Sequence, residues 1–224
     1  MNMLPDCKHE KRFWQRRKTL VFALDEAGRG SLAGPVVACA FCATNGFTQM
    51  PQPPIPVKDS KQLSQRRREA LHAWMKTIPY FAYATAFVGP KTIDAINIRQ
   101  ANFVAMQRAI KKLRTHVPRT RVHALVDGND PIPDIPVAQT TIIKGDAKVF
   151  SIACASIIAK VSRDTYMLRI AKKYPAYAFD KHKGYGTLKH RRLIRKHGMC
   201  AIHRKTFCKS LRINNRLILH KTKS

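Results

Sequence analysis

Only 13 Asp and Glu stand against 42 Lys and Arg in this chain of 224 residues, so the position of each carboxylate carries information. Asp25 and Glu26 close a short apolar run, TLVFAL, and Asp127 closes a second, VHALV. Where helices flank a sheet, ligands bind beyond the C-terminal ends of the strands, and these three acids stand at such ends. Asp164 follows Ile157 by seven residues, about 700° of helical rotation, which puts it about 20° from that apolar position on a predicted helix. A carboxylate on a packed face needs a partner. Taken singly, Asp164 pairs with Lys160 one turn earlier, and Asp25 and Asp127 cap turns. Taken together, converging carboxylates repel one another unless a cation lies between them, and a hard divalent ion such as Mg2+ prefers oxygen ligands. An acidic centre holding metal in a basic chain suits the hydrolysis of a phosphodiester.

Other groupings point elsewhere less well. Cys39 and Cys42 have the spacing of a zinc or redox pair, yet they fall in a predicted strand, where their side chains take opposite faces. His197, Cys200, His203 and Cys208 have tolerable zinc-ligand spacing in a pattern too loose to be specific. Trp14 and Trp74 read as packing residues. The six cysteines read as reduced thiols, because a chain of this length builds its own core.

The elements that must position the acids follow from hydrophobic patterning. Continuous or alternating apolar runs predict strands over 19–24, 36–44, 80–88, 122–126 and 137–143. A helix is predicted over 65–76, capped by Ser64, with Ala70, Leu71 and Trp74 on one side. A second covers 98–113, with Phe103, Met106, Ile110 and Leu113 on one face. A third covers 148–170, with Cys154, Ile157, Val161, Thr165 and Leu168 as its packed stripe. Residues 1–18 form a polar, basic leader without clear periodicity, and basic helical structure follows Thr187. Strands alternating with helices give an α/β domain with a mixed sheet flanked by helices. The expected division is a catalytic domain over 19–178 and a basic C-terminal helical segment over 179–224.

The formal net charge is +29, far more than an acidic small molecule demands and appropriate to a polyphosphate backbone. Residues 181–224 carry 14 Lys and Arg and no acid. No apolar run is long enough to span a bilayer, and the N-terminus lacks the apolar middle of a signal peptide, so a cytoplasmic protein without membrane attachment is expected.

Eight blocks occur in order: DEAGRG (25–30), KDSKQLS (58–64), INIRQANFVAMQRAI (96–110), VDGN (126–129), IIKGDAKV (142–149), SIIAKVSRD (156–164), HKGYGT (182–187) and HRKTF (203–207). The series resembles the bacterial ribonuclease HII family. The resemblance implies a ribonuclease H-like fold and a two-metal site, Mg2+ or Mn2+, held by Asp25, Glu26, Asp127 and Asp164. It implies cleavage of the RNA strand of RNA–DNA hybrids and nicking 5′ of ribonucleotides embedded in duplex DNA, with 3′-hydroxyl and 5′-phosphate products, by a monomer. Gly28, Arg29 and Gly30 would approach the ribose 2′-hydroxyl, and Tyr185 would pack on the sugar beyond the RNA–DNA junction. Lys58, Lys61, Lys144 and Lys160 would contact phosphates. Ser31, Phe150 and Cys208 depart from the residues expected at those places. Two other readings are a non-catalytic RNA- or hybrid-binding protein and the sister enzyme ribonuclease HIII. The acid quartet disfavours the first. The GRG form and the short stretch before the first strand disfavour the second.

Overall fold

The first apolar run continues through its two acids as β1 (Leu20–Ala27), so Asp25 and Glu26 are strand residues rather than the start of a loop. The computed structural model describes residues 4–15, 19–44 and 52–211. The other strands are β2 (Val36–Ala43), β3 (Phe81–Val88), β4 (Val122–Asp127) and β5 (Ala138–Ile142). They form one sheet in the order β3-β2-β1-β4-β5. β1 pairs with β4 and β4 with β5 in parallel, whereas β1–β2 and β2–β3 are antiparallel, which makes the sheet mixed as expected. β1 and β2 are buried on both faces, the reason their sequences read as continuous apolar runs.

Side-chain alternation along β1 and β4 assigns the two faces. Leu20, Phe22, Leu24, Val122, Ala124 and Val126 pack with α3 (Pro90–Arg114) through Phe103, Met106, Ile110 and Leu113. Val21, Ala23 and Leu125 point the other way, toward Ile152 of α4 (Phe150–Lys173). α2 (Gln65–Thr77) lies outside α4, with Leu71 and Met75 buried against it. Cys39 and Cys42 do take opposite faces of β2, one in each core.

Three differences from the sequence expectations have physical causes. The leader contains a helix, α1 (Lys8–Trp14), whose Glu10 is completely buried. A polar pattern concealed it, because the helix is held by that buried acid and, at its end alone, by Phe13 and Trp14 packed on the core, Phe13 stacking on His123 at 3.9 Å. α3 begins at Pro90, eight residues earlier than expected, and breaks at Asn97, where φ is 64°. The α4 stripe does not run straight to its end: Thr165 is exposed and Leu168 half-buried, while Arg163 and Met167 are buried. Beyond Val161 the helix leaves the sheet and packs instead on Ala33, Tyr177, Phe179 and Ile202. That contact brings in the C-terminal segment, α5 (Phe179–His182) and α6 (Leu188–His197), the latter capped by Thr187. Cys208 and Leu211 pack with Ile194 and Leu32, so the departure at Cys208 leaves this segment docked.

Candidate active site

The strand register builds the centre. Leu24 is paired with Val126, so the next residues, Asp25 and Asp127, leave adjacent parallel strands side by side. Alternation puts both on the α4 side of the sheet. Asp146 joins them from the 3-10 turn Gly145–Ala147 just before α4. Carboxylate oxygens of Asp25, Asp127 and Asp146 all lie within 4.8 Å of one another, the one group of metal-ligating type found among the described residues. Asp25 and Asp146 are buried and Asp127 is half-buried. The Gly145 N–H donates to Asp127 Oδ1 at 2.7 Å, which fixes the turn carrying Asp146 against β4.

Electrostatics mark the same place. Burial pushes the Asp25 carboxyl well above its ordinary range, and the neighbouring Glu26 and Asp127 push it further, against a hydrogen bond from Ser156. Burial and Asp127 likewise raise Asp146, opposed by Lys61, whose Nζ lies 3.1 Å from its Oδ2. Among the described residues, Lys61 is the only cation ion-paired to the trio, and it reaches Asp146 alone. A cluster of buried hard oxygen donors short of countercharge fits a divalent cation.

Glu26 points to the opposite face of β1. There burial raises its carboxyl, and Asp127 adds to the rise, while Arg29 at 3.4 Å and the Asn102 amide at 3.2 Å oppose it. Asn102 is nearly fully buried on α3, and its own Oδ1 has no hydrogen-bond partner among the described residues. Asp164 does not join the cluster. Its Oδ1 accepts from Lys160 Nζ at 2.9 Å and its Oδ2 lies 3.7 Å from Arg68, so the simpler ion-pair reading describes its place. Of the quartet expected from sequence, the structure gathers Asp25 and Asp127 and adds Asp146 to them, with Glu26 on the other side of the strand and Asp164 outside the group. Asp146 lies in the IIKGDAKV block, where the sequence pattern alone assigns it no role. The signal available was an acid directly preceding a long helix in a chain with few acids.

Gly28, Arg29 and Gly30 turn the chain directly after β1, with Gly28 at φ 93°. The turn faces Tyr185 through an isolated bridge between Ser31 and Tyr185, and Gly184 O accepts from the N–H groups of Leu32 and Ala33. Half-buried Tyr185 has Lys160 Nζ at 4.9 Å and the Arg163 guanidinium at 5.0 Å from its ring centre. Lys58 is half-buried before the Asp59-capped turn that carries Lys61, and Lys144 is exposed in a left-handed conformation at the turn carrying Asp146. Of the four lysines, then, Lys61 and Lys144 flank the carboxylates, and Lys160 lies beside the tyrosine.

A chain of histidines supports Tyr185 from behind. The Cys200 N–H donates to His203 Nδ1 at 2.9 Å, so His203 carries its proton on Nε2 and donates to His190 Nε2 at 3.1 Å. His190 Nδ1 in turn donates to the Tyr185 carbonyl at 2.9 Å. His182 accepts from the Gly184 N–H and donates to Tyr177 O. His190 and His203 thus serve as neutral hydrogen-bonding groups, and His197 and Cys208 form no metal-ligating group with them.

A mixed five-stranded sheet flanked by helices, with carboxylates gathered at and beside its strand ends, is the architecture of the ribonuclease H-like class. The family profile described as "Ribonuclease HII" matches residues 23–210. Ribonuclease HII of Endomicrobium trichonymphae is 47% identical over 199 residues, covering 88% of this chain and 90% of that protein. Ribonuclease HII of Caldicellulosiruptor saccharolyticus is 47% identical over 191 residues, covering 85% and 88%. Among solved structures, the ribonuclease H2 from Pyrococcus horikoshii OT3 superposes with a TM-score of 0.67 at 27% identity, covering 84% of this chain and 93% of that one. The chain belongs to the ribonuclease HII family.

Proposed function

We propose that the chain is an endonuclease that hydrolyses the RNA strand of RNA–DNA hybrids. It also nicks duplex DNA 5′ of embedded ribonucleotides and leaves 3′-hydroxyl and 5′-phosphate ends. The observation that carries this reading is the convergence of Asp25, Asp127 and Asp146 within 4.8 Å in a chain of formal charge +29. A protein that only bound nucleic acid would gain nothing from buried carboxylates beside a phosphate-seeking surface. Asp25, Asp127 and Asp146, with Glu26 across the strand, are the proposed ligands of two divalent ions, Mg2+ or Mn2+. Those ions, when bound, supply Lewis-acid polarisation of the phosphate and a water of lowered pKa.

The protein's own groups have separable tasks in this reading. Asp25 and Asp127 set carboxylate oxygens at the strand ends, and Lys61 orients Asp146. Gly28, Arg29 and Gly30 offer backbone close to the ribose, which glycine permits because no side chain intervenes. Tyr185 packs on the deoxyribose that follows, and Lys58, Lys144 and Lys160 meet phosphates. Asp164 orients Lys160 beside Tyr185. The enzyme acts as a monomer in the cytoplasm. Among the described residues no helix is long and apolar enough to cross a membrane. The reading is tested on a DNA duplex carrying one ribonucleotide, incubated with Mg2+, with Mn2+ and with chelator. A single metal-dependent cut 5′ of the ribonucleotide, with a 3′-hydroxyl end, is expected. Cleavage that persists in chelator, or binding without cleavage in either metal, would refute it.

A further inference from the structure

Arg163 and Arg204 are both completely buried, and among the described residues neither lies within ion-pair distance of a carboxylate. Two buried cations without counter-ions are a costly arrangement, tolerable only if their donors are well used. Every donor contact they make ends on a backbone carbonyl of one loop or of its neighbour. Arg204 donates to Gly28 O at 2.7 Å, Arg29 O at 2.7 Å and Gly34 O at 3.0 Å. Arg163 donates to Ala33 O at 3.1 Å, Pro35 O at 3.0 Å and Lys183 O at 3.0 Å. The loop 28–35 is therefore gripped along its length from inside the protein.

The consequence is the direction of its outer face. With the carbonyls of Gly28 and Arg29 turned inward, the N–H groups of exposed Arg29 and Gly30 meet no acceptor among the described residues. A Cβ built on Gly30 would touch nothing within 4 Å, so the approach to these donors is open. A Cβ on Gly28 would overlap the Arg163 guanidinium itself, so this glycine is required by the grip as well as by its φ of 93°. Arg163 also lies against the Tyr185 ring, which ties the loop and the tyrosine to one planar group.

We propose that Arg163 and Arg204 are the positioning residues for selection of a lone ribonucleotide: they clamp the 28–35 backbone so that the Arg29 and Gly30 N–H groups face a sugar hydroxyl beside Tyr185. This rests on the reading above that Gly28–Gly30 meets the ribose. Only a guanidinium presents several donors in a fixed plane, so lysine cannot replace it here. Register explains why selectivity is the property at stake. A continuous hybrid offers a 2′-hydroxyl in every register, whereas a single embedded ribonucleotide offers one, so a loosened loop loses more on the second substrate.

The test compares Arg204→Lys and Arg163→Lys with wild type on both substrates, alongside thermal melting. Under the proposal, kcat/KM for the single-ribonucleotide duplex falls about tenfold more than for the continuous hybrid, mainly through KM. An equal loss on both substrates that tracks a fall in Tm would show the arginines to be structural only and overturn it. Unaltered selectivity in both variants would overturn it too. If wild type itself cuts an all-DNA duplex as readily as one with a ribonucleotide, the underlying functional reading fails before the arginines are at issue. Should neither variant fold, the wild-type loop decides: backbone order parameters near 0.85 at Arg29 and Gly30 support a clamped loop, and values below about 0.6 overturn it.

Discussion

At the scale of single residues, the proposed function gives Asp146 and Asp164 different roles, because their surroundings differ. Both acids are buried, but Asp146 shares a cluster with two other carboxylates and Asp164 is neutralised by Lys160 and Arg68. Asp146→Asn should cut the turnover rate by about a hundredfold or more, on the order of 3 kcal/mol of barrier, with little change in Tm. Asp164→Asn should cost on the order of 2 kcal/mol of stability by leaving two poorly solvated cations, with a smaller effect on turnover. Rates at saturating substrate and denaturant midpoints read the two effects, and a reversed pattern would restore Asp164 to the centre. Helical angle could place Asp164 on the packed side but not along the axis. Ser156, which hydrogen-bonds Asp25, comes eight residues earlier, about 12 Å along α4. The histidines behind Tyr185 give a pH prediction. Burial, chiefly, lowers His190 and His203 from 6.5 to about 4. Above pH 6.5 both states are neutral and nothing is lost. Between 6.5 and 4 the unfolded chain takes up protons that the fold refuses, so stability falls as pH falls. His203→Gln should melt lower than wild type at pH 7, and the gap should narrow toward pH 4.5. A constant gap across that range would remove His203 from the acid response.

At the scale of elements, the strands were legible because burial on both faces leaves few polar residues to obscure the pattern, as in VVACAFCA of β2. Helices were legible where one face meets the sheet, as for Phe103, Met106, Ile110 and Leu113. They were not legible where polar groups hold them. The first turns of α3 precede a left-handed Asn97 whose side chain accepts from the Gln100 N–H, and no periodicity runs through such a break. α1 is the clearer case. α4 has no side-chain cap of its own at Val149. Glu10 supplies one from 141 residues away, accepting from the Ser151 N–H at 2.9 Å and its hydroxyl at 2.7 Å. Asp6 extends the attachment, its carbonyl accepting from the Phe150 N–H. The apparent leader is thus the cap of the helix whose preceding turn carries Asp146. Glu10→Ala should lower stability by about 1–2 kcal/mol, the usual worth of a lost N-cap, as a shift of the urea midpoint at constant m. No shift would mean that α1 contributes nothing to holding α4.

At the scale of the whole molecule, acidic and basic residues are segregated. The acids that cluster gather at two strand ends and the turn beside them, and the C-terminal 181–224 stretch carries 14 basic residues and no acid. Part of that stretch is built into the fold. Arg204 is buried, and Cys208 and Leu211 close a small core with Ile194, so a truncation after Phe207 would remove packing along with charge. Residues 212–224 lie outside the described residues. They hold four further cations, Arg212, Arg216, Lys221 and Lys223. A cut after Leu211 removes those four charges and leaves every described contact in place. Each cation that displaces a counterion from B-form DNA contributes about 0.9 to the slope of log affinity against log salt, so the truncated protein should bind all duplexes more weakly with a slope shallower by up to about 3.6. Phosphate contacts carry no sequence or sugar information, so the preference for a ribonucleotide-containing duplex should survive the cut. Titrations at several salt concentrations, with an all-DNA duplex and a hybrid in parallel, read both quantities. An unchanged slope would mean that these four charges stay in solvent. A flattened slope with lost ribose preference would mean that the terminal residues take part in recognition itself.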